Sequence, residues 1–203
     1  MRPSSRFPTR AVTALLLVIC ACGGRPDPAG LGSGLGSTPE PVGCQPTEGP
    51  TTVFPRLPGR GPPPGVTSGE VPHVQLNPES TPEVIEELFS RIFELPILEN
   101  RPTIIGMQGT RAIWLTEDVT ISRPECLPGG REFAHIHIDG SLHSVLPHER
   151  IPEAVAAGWA EPHPFAGVRP GFEAFVMLFT PRSSEEVEVI FQFILEALNF
   201  ITG

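Results

Sequence analysis

One stretch of the sequence combines a strand-like alternation with most of the histidines in the chain. Five of the six histidines lie between Arg131 and Arg182. Residues two apart on a strand share a face, so His135 and His137 are predicted to point the same way. Imidazoles titrate near neutral pH, and this region therefore concentrates the chain's candidates for acid–base or ligand chemistry.

The turn after these two histidines decides where the next one lies. A two-residue Asp139-Gly140 turn would place His143 on the face opposite the first two histidines. A three-residue loop that includes Ile138, with Gly140 in the left-handed conformation, pairs His135 with His143. Both hairpins are sterically allowed. We favour the second because it gathers three imidazoles on one face.

Three interpretations of this cluster are open. In the first, His135, His137 and His143 bind a divalent metal, because His-x-His on a strand is a common ligand spacing. In the second, one histidine is a general base in a pocket. In the third, the rings are half-buried strand residues with hydrogen-bonded nitrogens.

A second segment with chemically useful side chains runs from Gly158 to Pro164. It carries Trp159, Glu161 and His163, and its two prolines hold the backbone extended. A stiff segment with an aromatic ring, a carboxylate and an imidazole suits a pocket wall. The alternative is a loop in which Trp159 fills the core and Glu161 is solvated.

Several short motifs resemble those of the luciferase-domain family, whose members include fungal luciferases and bacterial proteins. They occur in this order: Glu132-x-Ala134-His135-x-His137, Leu142-His143, Gly158-Trp159-x-Glu161-x-His163-Pro164-x-Ala166-Gly167, and Thr180-Pro181-Arg182. The resemblance covers roughly residues 131–198. It implies the family's fold and a shared pocket. The fungal enzymes oxidise a hydroxylated pyrone with molecular oxygen and no recognised organic cofactor. They usually carry a basic residue where this chain has Pro162, and their hairpin tip also differs.

The resemblance and the histidines together suggest a reaction. In the leading hypothesis His137 or His143 removes a proton from an acidic enol or phenol, and the electron-rich anion reacts with oxygen. Trp159 would wall the pocket, and Glu161 or Arg182 would orient the small-molecule ligand. The candidate catalytic residues are His135, His137, His143, Glu161 and His163. Two alternatives stay open: a non-catalytic lipoprotein that binds a ligand or partner, and a metal-dependent enzyme. No cofactor besides that metal is expected.

Residues 1–22 resemble a lipoprotein signal peptide. Three arginines precede a short apolar run, which ends in a small residue followed by Cys22. Acylation of Cys22 would anchor the mature chain to a bilayer on the extracytoplasmic side of the cell envelope.

Residues 23–70 are rich in Gly, Pro, Ser and Thr and are predicted to form a disordered tether. Once the signal peptide is removed and Cys22 is acylated, Cys44 and Cys126 are the two remaining thiols. In an oxidising compartment these two cysteines are able to form a disulfide.

Residues 71–203 are predicted to form one α+β domain, an antiparallel sheet with helices at both ends. Ser80-Thr81-Pro82 begins an amphipathic helix, and Ser183-x-x-Glu186 is a capping box for the last one. Strands are expected at Thr103–Met107, Ala112–Leu115 and Ala174–Phe179, besides the histidine hairpin.

Composition excludes several classes of chemistry. The chain has no lysine, which rules out Schiff-base catalysis by the protein, and no tyrosine. Its net charge of -9 without a basic stripe makes it a poor nucleic-acid binder.

Overall fold

The structure is a computed structural model that describes residues 43–46, 52–69 and 71–203. The predicted signal peptide and Cys22 lie outside the described residues. Within the described ranges, no helix is long and apolar enough to cross a membrane.

The described residues form three α-helices that contact the sheet: α1 (Pro82–Phe93), α2 (Ile151–Ala156) and α3 (Ser184–Thr202). The hydroxyl of Thr81 caps α1, and the hydroxyl of Ser183 accepts a hydrogen bond from Glu186 N at the start of α3. The predicted caps therefore begin both long helices. These two helices contact each other, and α3 also contacts the centre of the sheet.

Six strands form a single sheet in the order β1-β2-β3-β4-β6-β5. They are β1 (Leu98–Arg101), β2 (Arg111–Leu115), β3 (Glu132–Ile136), β4 (Leu142–Val145), β5 (Ala160–Pro162) and β6 (Phe175–Leu178). Every neighbouring pair is antiparallel. The predicted α+β class with an antiparallel sheet is confirmed.

The β3–β4 hairpin has the three-residue loop. His135 lies opposite His143, and His137 N donates to Ser141 O at 2.8 Å. Gly140 has a φ of 84°, and a Cβ at this position would overlap the Thr180 hydroxyl. The left-handed glycine thus sets the register that gathers the three imidazoles.

The strand expected at Thr103–Met107 is wrong, because the first strand is β1, and residues 102–110 form a loop. Glu132 explains the difference. Its carboxylate accepts hydrogen bonds from Ile104 N at 2.6 Å and from the Thr103 hydroxyl at 2.7 Å. A buried carboxylate, not a neighbouring strand, therefore accepts the hydrogen bonds that this part of the loop donates.

The composition of residues 23–70 predicts a tether, whereas the described part of that segment packs on the domain. A disulfide joins Cys44 to Cys126. Further along, Arg60 Nη2 donates to Thr180 O at 2.9 Å, and Trp159 Nε1 donates to Pro58 O at 2.7 Å. Hydrogen bonds and a disulfide hold the segment on the domain. Because these interactions do not require large apolar residues, the composition of the segment did not predict the packing. We call residues 52–69 and 71–76 the N-terminal strap.

Candidate active site

Five histidine rings meet on one face of the sheet. Three come from the β3–β4 hairpin: His135, His137 and His143 are each less than 5% exposed. His163 follows β5, and His73 comes from the N-terminal strap. Adjacent rings in this histidine cluster have centroids 4.6 to 5.6 Å apart.

His143 is the centre of the cluster. Its Nδ1 lies 3.2 Å from His135 Nε2, and its Nε2 lies 3.0 Å from His73 Nδ1. Both of its nitrogens therefore face other imidazoles rather than backbone groups.

His73 links the cluster to a carboxylate. Its Nε2 is hydrogen-bonded to Glu161 Oε1, and the Glu161 side chain is 28% exposed. The short edge strand β5 positions Glu161 opposite Met177 of β6. The predicted candidate Glu161 thus reaches the site through His73, and the chain His143–His73–Glu161 leads from the buried cluster toward solvent.

Glu132 supports His135 from the other side. His135 Nδ1 lies 3.2 Å from Glu132 Oε1, and Glu132 is completely buried. Strict alternation would turn Glu132 away from the histidine face. The pairing with β2 contains an irregularity, however: Ile113 lies opposite Ala134 and Trp114 opposite Glu132. This β-bulge places Glu132 on the same face as His135.

His137 has a different support. Its Nδ1 lies 3.0 Å from the Ser141 hydroxyl, which donates to Asp139 Oδ1 at 2.7 Å. Because the single hydroxyl hydrogen is given to the carboxylate, Ser141 accepts a hydrogen bond from His137. Asp139 is therefore both the turn residue and the end of a hydrogen-bonded relay.

His163 is oriented by the backbone. Phe165 N donates to His163 Nδ1 at 3.0 Å, and the His163 ring packs against Phe172 with centroids 5.1 Å apart. With Nδ1 accepting, the neutral ring carries its proton on Nε2 and acts there as a donor.

Burial keeps several of these rings neutral. Burial, together with the positive charge that neighbouring histidines would carry, lowers the pKa of His137 to about 3 and that of His163 to about 4. The same causes place the pKa of His143 well below its usual value. Glu132 is ionised: burial would raise its pKa, but hydrogen bonds from its donors lower it overall.

A cavity of about 160 Å³ opens beside the cluster. All five clustered histidines line one side, and the rest of the wall is formed by Val71, Pro72, Ile105, Gly106, Met107, Phe165, Phe172 and Phe175. Apolar cavities of about 150 Å³ hold a molecule the size of benzene. The cavity therefore has about the volume of one small ring, and imidazoles form part of its wall.

Two predicted substrate-binding residues lie elsewhere. Trp159 is 2% exposed and fills the core beneath the strap, so the core alternative describes it better than the pocket wall. Arg182 Nε donates to Glu186 Oε1 at 2.8 Å, and its Nη2 donates to Arg60 O. Neither side chain lines the cavity.

The sequence did not predict that His73 joins the cluster or that Glu132 supports His135. His73 is a single histidine in a proline-rich stretch and gives no local signal. Glu132, by contrast, is the first residue of the first motif. A carboxylate three positions before His135 could have suggested a contact between the two side chains.

The comparisons with known proteins agree on one family for this part of the chain. Residues 130–197 match the family described as the luciferase domain. The chain is 29% identical over 172 residues to the protein named luciferase from Armillaria ostoyae. The match covers 74% of this chain, which spans 63% of the length of that relative. No solved structure matches the chain significantly.

Proposed function

We propose that this domain binds a small electron-rich enol or phenol in the cavity and oxidises it with molecular oxygen. The observation that carries the proposal is the cavity: its volume suits a single ring, and imidazoles form its polar wall. Aromatic and aliphatic side chains would hold the ring, while the imidazole nitrogens would hold its oxygen. Oxidation by molecular oxygen is also suggested by the similarity to the A. ostoyae protein, which is named luciferase.

The reaction requires loss of the acidic proton, because the anion is the electron-rich form. His137 and His143 are neutral, but the burial that lowers their pKa also disfavours the charged form that a base must become. His73 gives the proton a way out, because it is hydrogen-bonded to His143 through Nδ1 and to the Glu161 carboxylate through Nε2. We therefore assign proton removal to the relay His143–His73–Glu161, in which His143 takes the substrate proton as its own Nε2 hydrogen passes to His73 Nδ1.

His163 would bind the oxygen of the anion. Its Nδ1 accepts the Phe165 N–H, which leaves Nε2–H as a donor in a ring that lines the cavity. Hydrogen bonds to developing negative charge in a water-poor site stabilise the anion more than they do in water.

The test is oxygen uptake by the purified full-length chain with a panel of one-ring hydroxypyrones, enols and phenols. Replacing His73 with glutamine should slow turnover by about 10²- to 10⁴-fold, as expected for loss of a general base. Arg182→Gln is the matched control and should leave turnover unchanged. Binding of panel members without oxygen uptake would reject the oxidation and favour a binding module.

We also propose that the chain is a lipoprotein of the cell envelope, acylated at Cys22 and facing an extracytoplasmic compartment. The disulfide between Cys44 and Cys126 supports an oxidising location. Detergent phase partitioning of the expressed protein tests the anchor. The wild type should enter the detergent phase and Cys22→Ala should not. A wild type that stays in the aqueous phase would reject acylation.

A further inference from the structure

We infer that His135, His137 and His143 form a binding site for a divalent transition-metal ion. This inference deepens the proposed function by naming an ion at the same cavity. It rests on the hydrogen-bond partners of each ring and on the positions of the nitrogens that remain.

The groups around each ring indicate which nitrogen is able to bind an ion. His135 Nδ1 lies 3.2 Å from Glu132 Oε1 without hydrogen-bond geometry, and a hydrogen on that nitrogen would face the carboxylate and leave the lone pair on Nε2. The Ser141 hydroxyl gives its hydrogen to Asp139, so His137 Nδ1 donates to Ser141, and Nε2 of His137 is free.

The position of the hydrogen on His143, the third ring, follows from the hydrogen bonds of His73. His73 donates from Nε2 to the Glu161 carboxylate, so its Nδ1 is an acceptor. His143 therefore donates from Nε2 to His73 Nδ1, and the lone pair of His143 is on Nδ1.

This assignment places two lone pairs against each other. His135 Nε2 and His143 Nδ1 are 3.2 Å apart, and in this tautomer neither nitrogen carries a hydrogen. A cation bound between the two nitrogens would satisfy both lone pairs. The three histidines place one ring nitrogen each within 4.8 Å of one another.

The spacing suits a metal ion. A tetrahedral ion bonded to imidazole nitrogens at about 2.0–2.1 Å holds them about 3.3 Å apart. The separation between His135 Nε2 and His143 Nδ1 is 3.2 Å. Because all three histidines line the cavity, a fourth coordination position would be available to a small ligand there.

The surroundings are those of metal-bound histidines. Such rings almost always donate their second nitrogen to a carboxylate or a similar acceptor, which fixes the ring orientation. Here each of the three rings leads to a carboxylate: His135 directly to Glu132, His137 through Ser141, and His143 through His73.

A second group of three histidines is less suitable. His73, His143 and His163 also bring ring nitrogens within 4.8 Å of one another. In that group, however, His163 Nδ1 accepts the Phe165 N–H, and Nε2 consequently carries hydrogen instead of a lone pair.

The ligand type narrows the choice of metal. Imidazole ligands favour zinc, iron, copper or nickel among the divalent ions.

The experiment is a titration of the full-length chain with Co²⁺, purified without a polyhistidine tag and stripped with a chelator. The absorption of Co²⁺ in the visible region reports coordination directly and needs no substrate. We expect one ion per chain with the intense bands of a tetrahedral site, and competition by Zn²⁺.

Three variants locate the ion. His137→Ala should abolish the tetrahedral spectrum, whereas His163→Ala should retain it. Glu132→Gln should weaken binding by about 10- to 100-fold, as expected when a carboxylate partner of a ligand is lost. Circular dichroism of each variant establishes that it is folded.

Absence of a tetrahedral Co²⁺ spectrum in the folded wild type would overturn the inference. So would retention of the spectrum in His137→Ala together with its loss in His163→Ala, because the ion would then occupy the other group. Oxygen uptake is measured separately on stripped and reloaded protein. A metal site without turnover would reject the proposed reaction and keep the site. Turnover in a protein that gives no tetrahedral Co²⁺ spectrum would keep the reaction and reject the site.

Discussion

His73 Nδ1 lies 3.0 Å from His143 Nε2, although 70 positions separate the two residues in the chain. The contact joins the N-terminal strap to the centre of the histidine hairpin. The site is therefore completed by a segment that precedes the match to the luciferase domain at residues 130–197.

The disulfide that fastens the segment before the strap should contribute strongly to stability. Closing a loop with a sequence separation of 82 limits the unfolded chain, and its loss should lower the free energy of unfolding by about 4 kcal/mol. Urea unfolding of the Cys44→Ser/Cys126→Ser variant measures this change. Reducing agent should lower the melting temperature of the wild type but leave the variant unaffected. A reductant-insensitive wild type would contradict the prediction.

Gly140→Ala should destabilise the hairpin more than Gly130→Ala. Both glycines have positive φ, so each alanine costs about 1–2 kcal/mol from the backbone alone. At Gly140 the new methyl group would also overlap Thr180, whereas at Gly130 no atom lies within 4 Å. Chemical denaturation of the two variants checks the difference. Equal losses of unfolding free energy in the two variants would contradict the prediction, because the structure would then accommodate the new methyl group beside Thr180 without destabilisation.

Trp159→Phe should weaken the attachment of the strap without altering the cavity. The change removes the indole N–H that donates to Pro58 O, and should cost about 1–2 kcal/mol. Trp114→Phe is the matched control, since among the described residues the Trp114 indole N–H has no partner. Thermal unfolding and Co²⁺ affinity are the measurements. A large loss of Co²⁺ affinity in Trp159→Phe would show that the strap attachment also shapes the site.

Glu186 should make stability depend on pH in the acid range. Burial alone would raise its pKa, but hydrogen bonds from Arg182 and the charge of Arg60 lower it below the ordinary value of 4.5. A lowered folded-state pKa stabilises the protein above about pH 4.5, and the contribution is lost as pH falls further. The stability difference between wild type and Glu186→Gln should therefore shrink below that pH.

Urea unfolding between pH 7 and pH 3 measures the Glu186 effect. Glu188→Gln is a suitable control, because Glu188 pairs with Arg91 on the exposed side of the same helix and such pairs contribute little. A constant difference between wild type and Glu186→Gln across this range would contradict the assignment.

Local patterns explain what could be predicted. The alternation of His135 and His137 was sufficient to place these two rings on one face. The turn allowed two registers, and the three-residue loop, which we favoured, is the one that places His143 opposite His135. Capping hydroxyls at Thr81 and Ser183 marked the two long helices. Each of these features depends on residues a few positions apart, whose relation is set by backbone geometry.

The sequence by itself thus determined the α+β class, the starts of the long helices and the face shared by His135 and His137. The tertiary structure decided which distant groups meet them. His73 arrives with the strap, Glu132 turns inward at a β-bulge, and Trp159 fills the core while Arg182 pairs with Glu186. These outcomes depend on burial and pairing between segments far apart in the chain, and no local periodicity records them.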